Sequence, residues 1–449
     1  MNVAIIGTGY VGLTTGACLA FLGHEVTCVD VAEEKIAALE RGEIPIYEPH
    51  LAELIAGARA NLQFTTDYAQ AIPEAQVVFI AVGTPSSGTG APNLQYLESA
   101  ARAVGQHLGR HYTVIVNKST VPIGSGNWVG SLVRDAVGDR PDRRFSVASN
   151  PEFLREGTAI YDTLYADRVV IGTDEEHAAE VLYTLYRPLL EQTFQPPPYL
   201  PRPEDLAAVP LISTDLASAE LIKYSANAFL ALKISFINEI GCVAEKVGAD
   251  ITQVAKGIGL DTRIGNRFLQ AGIGWGGSCF GKDTAALVST ASEYGLDMPI
   301  VKAAREINRR QRERIVEKLL HELKILKGRS IGLLGLAFKP NTDDLREAPA
   351  IEIARKLLER GARVRVHDPV AMARFQREHP DLAVTACESA TAVARDADAL
   401  VLVTEWSEYL ELDWETLAST MRSAIVLDGR NALDRPRLAR AGFRYLSLA

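Results

Sequence analysis

Short apolar and β-branched runs alternate with longer stretches of helical pattern through the first half of the chain. That alternation predicts a parallel sheet covered by helices. The expected strands are Val3–Ile6, Glu25–Val29, Val77–Val82, Thr113–Asn117 and Ser146–Ala148, with helical material from Asp67 to Ala71 and from Leu94 to Gly105. The same plan returns near the C-terminus, where Ser330–Leu334, Arg363–His367, Ala399–Val403 and Ala424–Leu427 match the first to fourth strands in turn. The punctuation returns as well. GHEVTCVD (23–30) and GARVRVHD (361–368) each carry a Gly that closes a helix, followed by a strand ending in Asp.

Between the copies, Ser213 to about Val247 contains no Pro and reads as one helix. Ser213, Thr214 and Asp215 supply N-cap chemistry and Gly248 a stop. About 33 helical residues span roughly 50 Å, enough to join two domains and offer a face to a second subunit. Leu216, Ile222, Ala226, Phe229, Ile237, Ile240 and Val243 are expected to form its buried face. The preceding QTFQPPPYLPRPEDLAAVP (192–210), with six Pro, reads as a polyproline-like surface excursion without a strand. The expected architecture is α/β: two doubly wound, Rossmann-like parallel-sheet domains joined by a long central helix. Its domains are residues 1–212, 213–320 and 321–449.

Composition narrows the function. A length of 449 residues fits two to four domains, and 47% hydrophobic with 23% charged residues excludes disorder or a collagen-like chain. A net charge of −9 without a long basic run is unsuited to gripping a phosphate backbone, so no nucleic-acid partner is expected. The five cysteines (Cys18, Cys28, Cys242, Cys279, Cys387) include no CxxC pair, which fits neither a disulfide framework nor a zinc site. A reducing, cytoplasmic setting and no metal follow. Residues 1–23 lack any charged side chain, yet they have no basic n-region and are too rich in Gly and Thr for a membrane span.

Gly7-Thr8-Gly9-Tyr10-Val11-Gly12 lies between an expected strand and a helix, and Asp30 ends the next strand. In that context the glycines permit a tight turn and close approach of a pyrophosphate, while Asp30 accepts from a ribose 2′-hydroxyl and repels a 2′-phosphate. NAD is the expected cofactor. The second copy, GLLGLAF, lacks the full glycine pattern and must hold any ligand differently. Three further segments place polar groups four apart, on one face if helical. These are Glu152 and Glu156 in NPEFLREG, Lys223 and Asn227 within an apolar stretch, and Cys279 and Asp283 after a glycine-rich loop. Each also has a purely structural reading: a solvated helix face for the two acids, a snorkelling lysine, an inert core thiol. Four glycines at 272, 274, 276 and 277 weigh against the last, because glycine lets backbone approach a ligand. A helix starting there would favour the nucleophilic thiolate.

With GTGYVG, Asp30, VGTP (82–85), KSTVP (118–122), NPEFLREG (150–157), LIKYSANAFLALKISFINEI (221–240), GGSCFGKD (276–283), GLAFKPNTDDLRE (335–347) and DGRN (428–431) in order, the chain resembles the UDP-glucose/GDP-mannose dehydrogenase family over nearly its whole length. The resemblance implies an NAD-dependent, four-electron oxidation of a sugar C6 alcohol to a carboxylate, with UDP-glucose as the expected substrate. It makes Cys279 the nucleophile, Lys223 and Asp283 the groups that help remove the hydroxyl proton, and Glu152 the base for thioester hydrolysis. Thr120 lies nearby in this scheme, and Lys223 and Asn227 hold the oxyanion.

NAD would contact Gly7, Gly9, Tyr10, Val11, Gly12, Asp30, Lys35, Thr84, Thr120, Glu156 and Arg346. The nucleotide sugar would contact Glu152, Phe153, Leu154, Arg155, Glu156, Lys223, Asn227, Phe268, Gly276, Phe338, Lys339 and Arg430. Arg263 resembles an arginine reaching in from the second subunit of a homodimer. Two departures stand out: Gly281 where many relatives have Pro, which removes a rigid φ from the thiol loop, and a long 192–210 connection. The rival readings are a sister enzyme on GDP-mannose or a UDP-N-acetylhexosamine, a two-electron hydroxyacid dehydrogenase, and an inactive nucleotide-sugar sensor.

Overall fold

The protein is described by a computed structural model over residues 1–85 and 92–448. Its residues form two compact units, Met1–Ala226 with Ala285–Tyr294, and Asn227–Thr284 with Gly295–Ala449. Each unit holds one Rossmann-like sheet, and the long central helix, Leu216–Val247, runs from the first into the second.

The first unit contains strands β1 (Asn2–Ile6), β2 (Glu25–Val29), β3 (Leu62–Thr65), β4 (Val77–Ile80), β5 (Thr113–Asn117), β6 (Phe145–Ser149), β7 (Val169–Gly172) and β8 (Leu211–Thr214). They lie side by side in the order β3-β2-β1-β4-β5-β6-β7-β8. All pairs are parallel except β6 with β7, which meet antiparallel at Ser149 and Gly172. Beta-branched and aliphatic residues fill β4 and β5, which are buried along their whole length, as strands covered on both faces require. The order reverses between β1 and β4, so the loops after those two strands flank a switch point, where open α/β sheets bind ligands.

The five strands expected here are present, β2 and β5 with the expected bounds and the other three with ends shifted by one or two residues. β3, β7 and β8 were not expected. β3 and β8 are four-residue edge strands with exposed polar positions and β7 is four buried residues; β7 and β8 show no period of two, and the alternation of β3 spans only four residues. The Pro-rich 192–210 has no strand, as expected, but it is a packed cover and not a free excursion. Phe194, Leu200, Leu206 and Val209 join the core of the first unit, and the Arg202 guanidinium bonds Gln192 and the Phe194 carbonyl.

The second unit carries β9 (Ser330–Leu334), β10 (Arg363–His367), β11 (Thr385–Ala386), β12 (Ala399–Leu402), β13 (Ile425–Asp428) and β14 (Arg444–Ser447). Their order is β11-β10-β9-β12-β13-β14, all parallel. The central strands repeat the β2-β1-β4-β5 arrangement of the first sheet. The two strands missed from the sequence, β11 and β14, are again edges.

In the central helix Asp215 is the N-cap residue, accepting from the Ser218 amide at 2.8 Å and its hydroxyl at 2.7 Å. Ser213 and Thr214 belong to β8, and Gly248 ends the helix at φ +76°. The expected buried face is only partly right. Leu216 and Ile237 are buried, whereas Phe229 and Val243 are 61% and 57% exposed. Phe236 and Val247 join them, so residues spaced by about seven leave an open apolar stripe. Among the described residues this is the one helix long and apolar enough to cross a membrane, by length and composition only. Its buried Glu220 and Lys223 are accounted for by partners within the first unit.

Gly12 begins the tight seam between the first helix (Tyr10–Phe21) and β1. A β-carbon there would lie 1.9 Å from the Gly7 carbonyl oxygen, which is backbone and has no free rotation. Gly12→Ala is therefore expected to destabilise the protein by about 1–3 kcal/mol, the range for overpacking a filled interior. Thermal unfolding followed by near-UV circular dichroism checks this; an unchanged midpoint would contradict it.

Candidate active site

The groups of the first unit lie at the C-terminal ends of successive parallel strands. After β1, Gly7 turns at φ +100°, a β-carbon on Gly9 would meet nothing within 4 Å, and Gly12 packs on Gly7. The three glycines thus divide the work of turn, open approach and close packing that a bound pyrophosphate needs. Asp30 follows β2 and accepts from the Thr8 amide (2.9 Å), the Thr8 hydroxyl (2.7 Å) and Lys35 Nζ (2.8 Å). Burial opposes its ionisation, but Lys35, Thr8 and the Ala32 amide outweigh it and hold the carboxyl down to about 2. Asp30 is an anion at neutral pH, ready to accept from a ribose. These residues fit NAD. After β4, the Thr84 hydroxyl donates to the Thr120 carbonyl at 2.9 Å, joining two expected cofactor contacts.

NPEFLREG follows β6 and is not helical, which overturns the expectation of two acids on one helix face. Glu152 turns inward and Glu156 is half-buried. Lys223, 3% exposed, places Nζ 3.0 Å from Glu152 Oε1 and 5.3 Å from the centre of the Phe153 ring. Glu152 Oε2 is buried and has no hydrogen-bond partner among the described residues. Lys223 is therefore a buried ion-pair partner, not a snorkelling side chain. Arg155 is committed locally, since Asp162 accepts from both its amide and its guanidinium.

The helix Phe280–Glu293 has its first turn in the second unit and starts immediately after Cys279, which is partly exposed. Asp283 is fully buried on its first turn. It accepts from Asn227 Nδ2 at 2.6 Å and Lys282 Nζ at 2.7 Å, while its amide donates to the Cys279 carbonyl at 2.8 Å. The glycines before the thiol allow close approach, but to the protein itself. A β-carbon on Gly272, Gly274, Gly276 or Gly277 would strike Gly429, Asn308, Glu347 or Phe338 respectively. Asn308 holds the loop from both sides, accepting from the Trp275 amide and donating to its carbonyl. Gly281 is buried, and the Glu347 carboxylate fills the place a β-carbon or proline ring would take, 1.8 Å from that position.

The remaining expected contacts of the second unit lie on loops around this segment. Phe268 is held at φ +64°, an uncommon conformation for an aromatic residue and a marker of local constraint. Lys339 Nζ sits 5.5 Å from the Phe338 ring centre. Arg346 is paired with the buried Asp344. Arg430 donates to the Val403 and Phe338 carbonyls, so it ties two loops together. Arg263 is 87% exposed, paired only locally with Asp261.

Sequence reasoning missed three carboxylates and one lysine. Glu48 accepts from the Gly157 and Ala159 amides and so pins NPEFLREG. Glu347 fills the space over Gly281. Glu220 accepts from the Gly124 amide at 2.6 Å and the Gly126 amide at 2.8 Å. Lys118 donates to Asn150 Oδ1 at 2.8 Å, and burial pushes it down to about 8. A signal existed for Glu220: an acid inside an apolar helical stretch, one turn before Lys223.

The glycine turn and Asp30 after the first two strands of a doubly wound sheet define an NAD-binding Rossmann protein, and the chain also carries a buried ammonium–carboxylate pair in its first unit and a thiol at a helix start in its second. Family models match in order: the NAD binding domain of the UDP-glucose/GDP-mannose dehydrogenase family over residues 1–190, its central domain over 217–310 and its UDP binding domain over 332–435. The chain belongs to that family. It is 44% identical to UDP-glucose 6-dehydrogenase TuaD of Bacillus subtilis, covering all of this chain and 93% of that protein. It is 45% identical to UDP-glucose 6-dehydrogenase of Rhizobium meliloti, covering all of this chain and 99% of that one. The solved UDP-glucose dehydrogenase of Pyrobaculum islandicum is 39% identical with a TM-score of 0.89, over all of this chain and 97% of that structure.

Two measurements follow. Removing one partner of a buried ion pair costs about 3–5 kcal/mol, because the other charge is left unpaired. Glu152→Gln and Lys223→Met should each destabilise on that scale, and the double variant by clearly less than their sum; additive losses in denaturant unfolding would contradict the pair. Burial pushes Glu220 from 4.5 up to about 7, against the opposing pull of the Gly124 and Gly126 amides. The folded state then holds a proton that the unfolded state releases between these values, so Glu220 makes stability fall as pH rises from 4.5 to 7. Glu220→Gln is expected to flatten that slope in thermal unfolding across the window.

Proposed function

We infer that this chain oxidises UDP-glucose to UDP-glucuronate with NAD, acting as a UDP-glucose 6-dehydrogenase. The observation that carries the reading is the presence of Cys279, Asp283, Lys223 and Glu152 as buried or helix-start groups in a chain 44–45% identical to UDP-glucose 6-dehydrogenases along its full length. The first domain (1–212) holds NAD, the third (321–449) holds the UDP moiety, and the central one (213–320) supplies the helix and the thiol.

Bound NAD supplies a hydride acceptor at the sugar carbon for each of two oxidations. Everything else falls to the chain. Lys223 and Asp283, acting through water, take the proton of the C6 hydroxyl as the aldehyde forms. The Cys279 thiolate adds to the aldehyde carbon and gives a thiohemiacetal, whose oxidation leaves a thioester on sulfur. Glu152 has one oxygen paired with Lys223; the other, buried and without a hydrogen-bond partner among the described residues, accepts a proton from the water that attacks the thioester. The carboxylate product leaves and the thiol is restored. Lys223 and Asn227 hold the developing oxyanion, which fixed donors in a dry site do well. The Arg155 to Glu156 segment, Phe268, Lys339 and Arg430 bind the nucleotide sugar, and Thr84, Thr120 and Arg346 complete the cofactor site.

We further infer a cytoplasmic homodimer through the open stripe of the central helix, with Arg263 of each copy serving the other. Phe229, Phe236, Val243 and Val247 are apolar, exposed and spaced for a helix–helix seam.

Purified protein with NAD and UDP-glucose is expected to form two NADH per sugar, and Cys279→Ala to abolish sustained turnover. One NADH per sugar would overturn the four-electron reading. No NADH with UDP-glucose, but turnover of GDP-mannose or a UDP-N-acetylhexosamine, would transfer the assignment to a sister enzyme. Phe229→Glu with Phe236→Glu should shift the particle from dimer to monomer in light scattering; a wild-type monomer would overturn the assembly.

A further inference from the structure

The segment Lys118–Gly124 carries Thr120 and leads from β5 into the helix Ser125–Val137. It is fastened at every stage. At its start Lys118 donates to Asn150, which also accepts from the buried Tyr186 hydroxyl at 2.6 Å and donates to the Val170 carbonyl at 2.7 Å. In its middle the Ser119 hydroxyl donates to the Val82 carbonyl at 2.7 Å, and the Thr120 carbonyl accepts from Thr84. At its end there is no local cap. The first turn of the following helix has no acidic residue and no side-chain cap, and Gly124 stands at φ +92°.

That missing cap comes from 96 residues further along the chain. Glu220 on the central helix is 3% exposed and accepts from both the Gly124 and the Gly126 amides. A β-carbon on Gly126 would lie 2.9 Å from Leu216 Cδ2 and 3.3 Å from Glu220 Oε1, so glycine is needed to let the two helices approach. One turn beyond Glu220 on the same helix, Lys223 bonds Glu152 at the end of β6. The first turns of the central helix are thus registered against the sheet by two charged side chains, one fixed to the loop after β5 and the other to the loop after β6.

We propose that Glu220 is a positioning residue for the dehydrogenase reaction: by holding the Gly124 and Gly126 amides it sets the register of the central helix, and hence the placement of Lys223 on Glu152 and of Thr120 in the cofactor loop. Burying a carboxylate is costly where a neutral cap residue would serve the helix alone. A local Ser or Asp could cap this helix without any tie to the lysine. What the long-range carboxylate adds, through the helix that also carries Lys223, is a second connection between two loops already joined by Lys118 and Asn150. A displacement of about 1 Å in such a group can cost on the order of 100-fold in rate.

This rests on the reaction proposed above, and the test separates the two. Glu220→Ala and Glu220→Gln are compared with wild type by steady-state kinetics with NAD and UDP-glucose and by backbone hydrogen exchange without substrate. Glu220→Ala is expected to lose about 10- to 100-fold in kcat, with the KM for UDP-glucose changed much less. Glu220→Gln, which keeps one of the two acceptor oxygens, should recover part of the loss. In exchange, Glu220→Ala should lose protection at 118–128 and also at 150–157. Faster exchange confined to 124–128, with kcat intact, would reduce Glu220 to a helix cap and overturn the proposal. A Gln variant that folds yet is as slow as Ala would also overturn it. If wild type itself produces no NADH from UDP-glucose, the substrate reading fails, and exchange at 150–157 still decides the positioning role.

Discussion

The first unit is organised around a charge pair that water cannot reach. Moving an ammonium and a carboxylate out of solvent costs several kcal/mol each, recovered only when the geometry between them is good. Lys223 and Glu152 meet at 3.0 Å with both side chains 6% exposed or less. Neither can move alone without leaving the other stranded. The consequence is mechanical as well as electrostatic: the central helix is tied through Lys223 to the loop after β6. Glu48 pins the same loop from its far side, and Glu220 ties the helix to the loop after β5. Three buried carboxylates from distant parts of the sequence therefore determine where one ammonium stands.

The two Rossmann-like sheets show how similar punctuation leads to different ligand sites. In the first copy, Asp30 takes the Thr8 amide and hydroxyl and leaves the approach over Gly9 clear. In the second, the equivalent Asp368 is fully buried and accepts from the amides of Leu336, Ala337, Val370 and Ala371 and from the Trp406 indole. The turn after β9 thus has its N–H groups satisfied by the protein's own carboxylate. A pyrophosphate would have to displace that anion. The turn at 335–338, without the full glycine pattern, is closed by the protein's own carboxylate.

What could be read from the sequence followed periodicity and motif context. Strands in the middle of each sheet carry apolar runs, and nine of those ten were placed within two residues; β7, four buried residues, was missed. The edges, β3, β8, β11 and β14, are short and half-polar, and tertiary pairing decides them. The glycine loop, Asp30 and the thiol at a helix start were legible because each depends on local backbone. Glu152 with Lys223 was legible as residues but not as a pair, since their contact spans 71 positions. Glu48, Glu220 and Glu347 act on backbone or space supplied by segments far away, and no spacing rule points to such partners. The helix face was misread for a similar reason: Phe229 and Val243 are apolar, and apolarity alone does not distinguish a buried face from an exposed one.

The thiol loop carries the same lesson into the chemistry. Its glycines suggest mobility and room for a ligand, yet each is filled against by another part of the second unit. Gly281 sharpens the point, because a proline there would restrict φ by its ring alone. Here restriction arrives from outside: Glu347 packs over the α-carbon, and Arg305 donates to the Gly281 carbonyl at 2.6 Å and to Thr284 at 2.7 Å. Asn308 clamps Trp275 on the other side of Cys279, and Arg312 bonds the carbonyls of both Trp275 and Glu347. A nucleophile that must meet an aldehyde carbon within a narrow range of angles gains from a fixed backbone. In this chain the fixation is distributed over three side chains of one long helix, Pro299–Leu323, and one carboxylate, so the absence of proline does not leave the turn unsupported.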